Sequence, residues 1–183
     1  MQPSRATEVI QVRSARDNER AAVRDVTLAA YEEYAQIMPA PFWTGYRHHL
    51  LSILEAATPA DRIVAEQKRA VVGSVFLFPP GADAYGGTAA GGNWPEVRLL
   101  AVVPAARGRG IGAALMEECV RRARSAGAAA LGLHTMDLMR AAVQMYARMG
   151  FVRVPERDVD IRGVLVKGYR LDLASAPDAR GAR

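Results

Sequence analysis

Leu99-Leu100-Ala101-Val102-Val103-Pro104-Ala105-Ala106-Arg107-Gly108-Arg109-Gly110-Ile111-Gly112-Ala113-Ala114-Leu115-Met116 is the decisive passage of this 183-residue chain. An apolar run with the character of a buried strand ends at Pro104, and a loop with glycine at every second position opens directly into an alanine-rich helical pattern. Without a Cβ, Gly108, Gly110 and Gly112 let backbone N–H groups turn toward a ligand, and the helix N-terminus adds roughly half a positive charge. Strand, glycine loop and helix N-terminus in that order make a cradle for a pyrophosphate. Arg107 and Arg109 can supply charge-assisted bonds to its oxygens. The spacing narrows the ligand class. The glycines read Gly-x-Gly-x-Gly rather than the dinucleotide Gly-x-Gly-x-x-Gly, and no Gly-Lys-Ser/Thr follows as in a nucleoside triphosphate loop.

Outward from this passage, the pattern predicts a strand over residues 96–103, a helix over 108–125 and a strand over 128–134, a crossover that makes the two strands parallel neighbours. A helix over 137–149 and strands at 151–154 and 164–173 follow. Upstream, residues 8–13 alternate as an edge strand. Asp17 is placed to cap a helix running to about Tyr34, with Ala22, Val26, Ala29, Ala30 and Glu33 at helical spacing, and Pro39 and Pro41 forbid its continuation. A second helix over 42–57 carries Trp43, Tyr46, Leu50, Ile53 and Leu54 on one stripe, read as core. Residues 62–66 and 70–78 pair as an antiparallel hairpin about Gln67-Lys68-Arg69. The glycine-rich stretch 79–95 reads as a mobile loop and residues 175–183 as a disordered tail, leaving one domain over 1–174. The element order predicts an α/β (α+β) fold with a mixed, mostly antiparallel central sheet flanked by helices; a doubly wound sheet fits less well.

In the form Arg107-Gly108-Arg109-Gly110-Ile111-Gly112, the cradle resembles the acetyl-CoA signature Arg/Gln-x-x-Gly-x-Gly/Ala of the GNAT superfamily of N-acetyltransferases. Ala142-Val143-Gln144-Met145-Tyr146-Ala147-Arg148-Met149-Gly150-Phe151 resembles the same family's helix ending in Tyr-x-x-x-Gly-Phe. The two motifs stand in the family's order and spacing, and the resemblance covers about residues 63–173. It implies acetyl-CoA as cosubstrate, an amine as acceptor, direct attack and no metal. Residues 107–113 (Arg107, Gly108, Arg109, Gly110, Ile111, Gly112 and Ala113) would hold the phosphates. Backbone groups of Ala101, Val102 and Val103 would meet the pantetheine amides and the acetyl oxygen. In many members of that family an asparagine stands seven residues before the tyrosine; Met139 holds that place here, so that contact is not carried over.

Acetyl transfer needs a neutral amine, a polarised thioester and a proton for the thiolate. Glu96 opens the cradle strand and by alternation shares a side with Arg98, opposite Val97, Leu99 and Ala101. In several enzymes that it resembles, a glutamate at this place is the general base; an exposed strand-end carboxylate beside Arg98 is the bland alternative. His134, at the end of the following strand, is the competing base. One of His48 and His49 at best lines the acceptor pocket. By periodicity alone Tyr146 is a core tyrosine with Met139, Ala142 and Met149, whereas the resemblance makes it the acid that protonates the thiolate. A catalytically silent CoA-binding sensor or partner module would carry the same cradle and remains the rival reading.

A net charge of +5 and pI near 9.8 suit an anionic ligand, but no interleaving of aromatic and basic residues points to nucleic acid. No apolar run approaches the roughly 20 residues that cross a bilayer, and no secretory leader is legible, so a cytoplasmic protein without membrane contact is expected. The single cysteine, Cys119, lies within a helical pattern and reads as a packing thiol rather than a nucleophile. A homodimer is left open.

Overall fold

The protein's structure, a computed structural model, describes residues 9–57, 59–82, 92–161 and 163–174. Its strands are β1 Gln11–Ser14, β2 Asp61–Gln67, β3 Ala70–Phe78, β4 Glu96–Val102, β5 Ala130–Thr135, β6 Val152–Arg153, β7 Val159–Ile161 and β8 Val164–Asp172. Its α-helices are α1 Arg20–Tyr31, α2 Ala40–Glu55, α3 Ile111–Ser125 and α4 Arg140–Arg148. Hydrogen-bonded neighbours run β1-β2-β3-β4-β5-β8-β6, with β7 added to β8. The β1–β2, β2–β3, β5–β8, β6–β8 and β7–β8 pairs are antiparallel, and β4–β5 is parallel. The mixed, mostly antiparallel sheet flanked by helices is therefore the observed fold, with its parallel pair where the strand-helix-strand crossover is legible. The chain forms two compact units. One runs to Leu77 and takes in Arg98–Glu118; the other takes in Phe78–Val97 and the chain from Cys119 onward.

In the first unit, the β2–β3 hairpin turns through Lys68 and Arg69 at φ 49° and 64°, the left-handed backbone that a tight two-residue hairpin requires, here without glycine. Asp17 does not cap α1. It starts a short 3-10 turn, Asp17–Glu19, and Glu19 holds the N-cap place of α1. The α-helix stops at Tyr31 and continues as 3-10 helix over Glu32–Gln36. Its buried face is Val23, Val26, Thr27, Ala30 and Tyr31. That face includes Val26 and Ala30 of the expected stripe but leaves Ala29 and Glu33 exposed. Pro41 stands inside α2, in the first turn, where a missing N–H costs nothing. Phe42, Leu50 and Leu54 form its buried face, while Trp43, Tyr46 and Ile53 are half-buried.

A Cβ on Gly73 of β3 would stand 3.0 Å from Leu115 Cδ1 and 3.1 Å from both Ile111 Cγ2 and the Ala101 carbonyl oxygen, so the first turns of α3 close directly onto β3 backbone. Ile111, Leu115, Met116 and Cys119 are sealed from solvent, which gives Cys119 the expected packing role. On β4, Leu99 takes φ 53°, a left-handed backbone that costs a leucine about 1–3 kcal/mol. The ladder to β5 covers Glu96↔Gly132 and Val97↔Leu133. This break in the strand cannot be read from the sequence, which offers only alternation.

In the second unit, β5 and β8 pair over six residues, from Ala130↔Asp172 to Thr135↔Lys167. The sequence reading starts α4 at about Asp137, but Met139 holds the N-cap place, so α4 begins only at Arg140. Two elements are missing from that reading: the 3-10 turn Pro155–Arg157 and strand β7. The middle of the expected glycine-rich loop, residues 83–91, and the expected tail, 175–183, lie outside the described residues.

Candidate active site

The candidate residues fall into two groups, one in each unit. In the first, β4 ends at Val102, a 3-10 turn spans Pro104–Ala106, and α3 starts at Ile111 rather than at Gly108. The reason is conformational: Gly108 and Gly110 have φ 72° and 78°, which are not helical. Both are exposed, and among the described residues a Cβ built on either meets nothing within 4 Å. Glycine is needed here for its backbone freedom, and no described residue crowds these two positions. Ile111, 1% exposed, anchors the first turn of α3, beside half-buried Gly112 and Ala113. The leading N–H groups of a helix have no acceptor within the helix, so this terminus supplies donors for an anion.

Arg107 and Arg109 differ. The Arg107 guanidinium donates from Nε to the Val102 carbonyl (3.1 Å), from Nη2 to the Ala30 carbonyl (2.9 Å) and from Nη1 to Glu33 (2.7 Å). Its side chain ties the end of α1 to the end of β4, whereas the sequence reading gave it to phosphate. The Arg109 Nη1 donates to Oε1 of Gln67 at 3.1 Å, which sets the orientation of that amide. Gln67 is 7% exposed, and among the described residues its Nε2 has no hydrogen-bond partner. Among the strand groups expected to meet pantetheine, the Val102 carbonyl is taken by Arg107, and the Val103 N–H donates to the Val72 carbonyl. Ala101 is buried. On α2, His48 is exposed and His49 half-buried; burial, then Arg98 and His48, push the His49 imidazole toward its neutral form.

The second group centres on Glu96. Its side chain is 7% exposed, so it is not the exposed strand-end carboxylate that the bland alternative describes. His134 Nδ1 lies 3.2 Å from Glu96 Oε1, and His134 Nε2 lies 2.8 Å from the Arg157 carbonyl oxygen. The two candidate bases of the sequence are thus one hydrogen-bonded pair. Register explains why they meet: Glu96 stands opposite Gly132, and His134 is two residues along β5, on the same face. Trp94 occupies the space over Gly132. The Arg157 and Arg170 guanidinium carbons lie 4.9 and 5.3 Å from its ring centroid. Tyr146 is the buried residue of α4, at 6% exposure, with its ring 5.8 Å from that of Phe151. Met139 Sδ, at the departure from the family pattern, accepts the Thr135 hydroxyl at 3.6 Å.

Trp94 and Arg157 escaped the sequence reading. Trp94 carried a usable signal, being two residues before Glu96. Arg157 carried none, because it is a carbonyl and not a side chain that reaches His134.

Over residues 26–151 the chain matches the acetyltransferase (GNAT) family, and it belongs to that family. It is 35% identical over 105 residues to a protein of Azospirillum brasilense described as an IAA acetyltransferase, a match that spans 57% of this chain and 63% of that relative. Among solved structures, a GNAT-family acetyltransferase of Staphylococcus aureus superposes with a TM-score of 0.67 at 14% identity, covering 90% of this chain and 99% of its own. A GNAT-family acetyltransferase of Brucella melitensis, solved in complex with acetyl-CoA, gives a TM-score of 0.60 at 24% identity, with 96% and 94% covered.

Proposed function

We propose that the chain transfers the acetyl group of acetyl-CoA to an amine. The observation that carries this reading is the glycine cradle: Gly108 and Gly110 in left-handed backbone, exposed and with no described atom within 4 Å of a built Cβ, at the N-terminus of α3. Residues 108–113 hold the pyrophosphate through backbone N–H groups, with the Arg109 guanidinium beside them. Family membership and the Brucella melitensis relative's complex with acetyl-CoA support the choice of donor.

The Glu96 carboxylate takes a proton from the acceptor ammonium. The freed nitrogen lone pair attacks the thioester carbonyl carbon, the C–S bond breaks, and Tyr146 gives its phenolic proton to the departing thiolate. The attacking nitrogen sheds its second proton to solvent as the amide forms, solvent reprotonates Tyr146 and takes the proton from Glu96, and one proton is released overall. The acceptor is an amine of a small molecule or peptide; the compound named in the Azospirillum relative's description, IAA, belongs in any acceptor panel.

The test has two arms. Acetyl-CoA should raise the melting temperature by mass action, more than NAD or ATP at equal concentration, and Gly110→Ala should reduce that shift. Equal shifts for all three ligands would reject the donor. Thioester consumption against an amine library then reads activity and acceptor together. A protein that binds acetyl-CoA but consumes none with any acceptor is the silent module.

A further inference from the structure

The two nitrogens of His134 meet partners with opposite demands. A backbone carbonyl can only accept, so the 2.8 Å contact with Arg157 requires a proton on Nε2. The 3.2 Å contact with Glu96 then requires a second proton. Either it sits on Nδ1, making an imidazolium against a carboxylate, or it sits on the carboxyl and is donated to Nδ1. In both forms the pair has no net charge, which suits side chains only 5% and 7% exposed. Without that proton, a carboxylate would face the Nδ1 lone pair.

The approach of the Arg157 carbonyl is itself built in. Gly168 on β8 stands opposite His134, and a Cβ there would lie 2.6 Å from Arg157 Cβ and 3.1 Å from its carbonyl oxygen. Asp158, the next residue, accepts the Gly168 N–H at 2.9 Å and is gripped by both terminal nitrogens of Arg153. The turn that carries the carbonyl is therefore pinned onto β8 at the one position where β8 has no side chain to hold it off.

We propose that His134 is a positioning residue for Glu96: clamped through Nε2–H by the Arg157 carbonyl, it presents Nδ1–H to the carboxylate and keeps Glu96 ionised in a buried place. This rests on the assignment of Glu96 as base. His134 itself takes no proton from the acceptor, since one nitrogen is committed to a carbonyl and the other to Glu96. The charged groups on the surrounding elements are Arg98 on β4, Arg157 over Trp94, and the pairs Arg170–Asp172, Arg153–Asp158 and Lys167–Asp137.

The test uses two amides that each copy one half of the imidazole. His134→Asn places an N–H donor near the Nδ1 position; His134→Gln places one near Nε2. With an acceptor in hand, the acid limb of the kcat/KM profile should move less in His134→Asn, which keeps a donor to Glu96 but no charge, than in the other two variants. It should move upward by about one pH unit or more in His134→Gln and His134→Ala, with the high-pH plateau recovered within a few-fold. Identical profiles for the Asn and Gln variants, or a uniform loss at every pH, would overturn the proposal. Glu96→Gln separates the two readings: retained turnover there removes Glu96 as base, whereas lost turnover with unshifted His134 variants removes only the positioning role. Nitrogen-15 NMR of the wild-type imidazole needs no variant and no acceptor. A protonated Nε2 is expected, and an unprotonated Nε2 overturns the clamp.

Discussion

Trp94 lies in the space that a side chain at Gly132 would fill: a Cβ at position 132 would stand 2.5 Å from the indole Nε1 and 2.9 Å from Cδ1. Gly132 is the residue of β5 directly opposite Glu96, so the indole covers the strand beside the buried carboxylate. Gly132→Ala should force the ring out and cost about 1–3 kcal/mol, read as a lower urea midpoint at unchanged slope. In a Trp94→Ala background the same alanine should cost less, because the ring it displaces is gone. Equal costs in both backgrounds would show that the alanine disturbs the strand rather than the indole.

The two cradle arginines should separate cleanly. Arg107→Met removes three protein contacts and is expected to cost about 1–3 kcal/mol of stability while leaving acetyl-CoA affinity within a few-fold. Arg109→Met, which gives up its bond to the buried Gln67 amide, should cost less stability than Arg107→Met and weaken acetyl-CoA by roughly tenfold, the equivalent of one charge-assisted hydrogen bond. Denaturation and calorimetric titration of both variants decide it; equal losses of affinity would return Arg107 to the phosphate.

Acid sensitivity should trace to Arg13. Its guanidinium bonds Glu19 through both terminal nitrogens and also bonds Glu66. The Arg13 hydrogen bond, aided by the Arg16 backbone N–H and opposed by burial, lowers the Glu19 carboxyl from an ordinary 4.5 to about 2. A depressed carboxyl stabilises the fold fully above its unfolded value, and that contribution fades as pH falls from about 4.5 to about 2. Unfolding free energy measured by denaturant across that window should fall with pH in the wild type. In Arg13→Gln it should be lower at neutral pH, with a shallower acid slope. The same acid slope in both proteins would place the sensitivity elsewhere.

Tyr146→Phe keeps the ring against Phe151 and deletes one hydroxyl, so the fold and acetyl-CoA affinity should change little. If the phenol protonates the thiolate, turnover should drop by about 10²- to 10⁴-fold, far beyond the roughly 1 kcal/mol of a lost ground-state hydrogen bond. Near wild-type turnover would make Tyr146 a packing residue only.

What the sequence made legible follows from what each signal encodes. Alternation, periodicity and the glycine spacing found the strands around the cradle and α3, while the family resemblance singled out Glu96 and imidazole chemistry made His134 the competing base. They could not join those two, because the meeting depends on parallel register between β4 and β5, and a one-residue slip would put them on opposite faces. The α1 stripe was only partly right because alanines fit either face and the buried Thr27 reads as polar. Its hydroxyl bonds the Val23 carbonyl (2.8 Å) and Ser74 (3.2 Å), which makes burial tolerable. The contacts of Arg107 were illegible for a related reason: a guanidinium beside a glycine loop suits phosphate, and nothing local shows that the end of α1 brings it the Ala30 carbonyl.

The chain passes between its two units after Leu77, Val97 and Glu118, and this interleaving bears on how the protein emerges from a ribosome. The first unit lacks its last piece until residue 118 has been made, about 2–8 seconds after Leu77 at ordinary elongation rates. During that interval β3, with Val75, Phe76 and Leu77 destined for the core, has β2 on one side but no β4 on the other. A growing chain paused there presents an apolar, unpaired strand edge to its neighbours on a polysome. Slow codons between positions 78 and 118 should therefore lower the soluble yield more than the same codons placed after position 118.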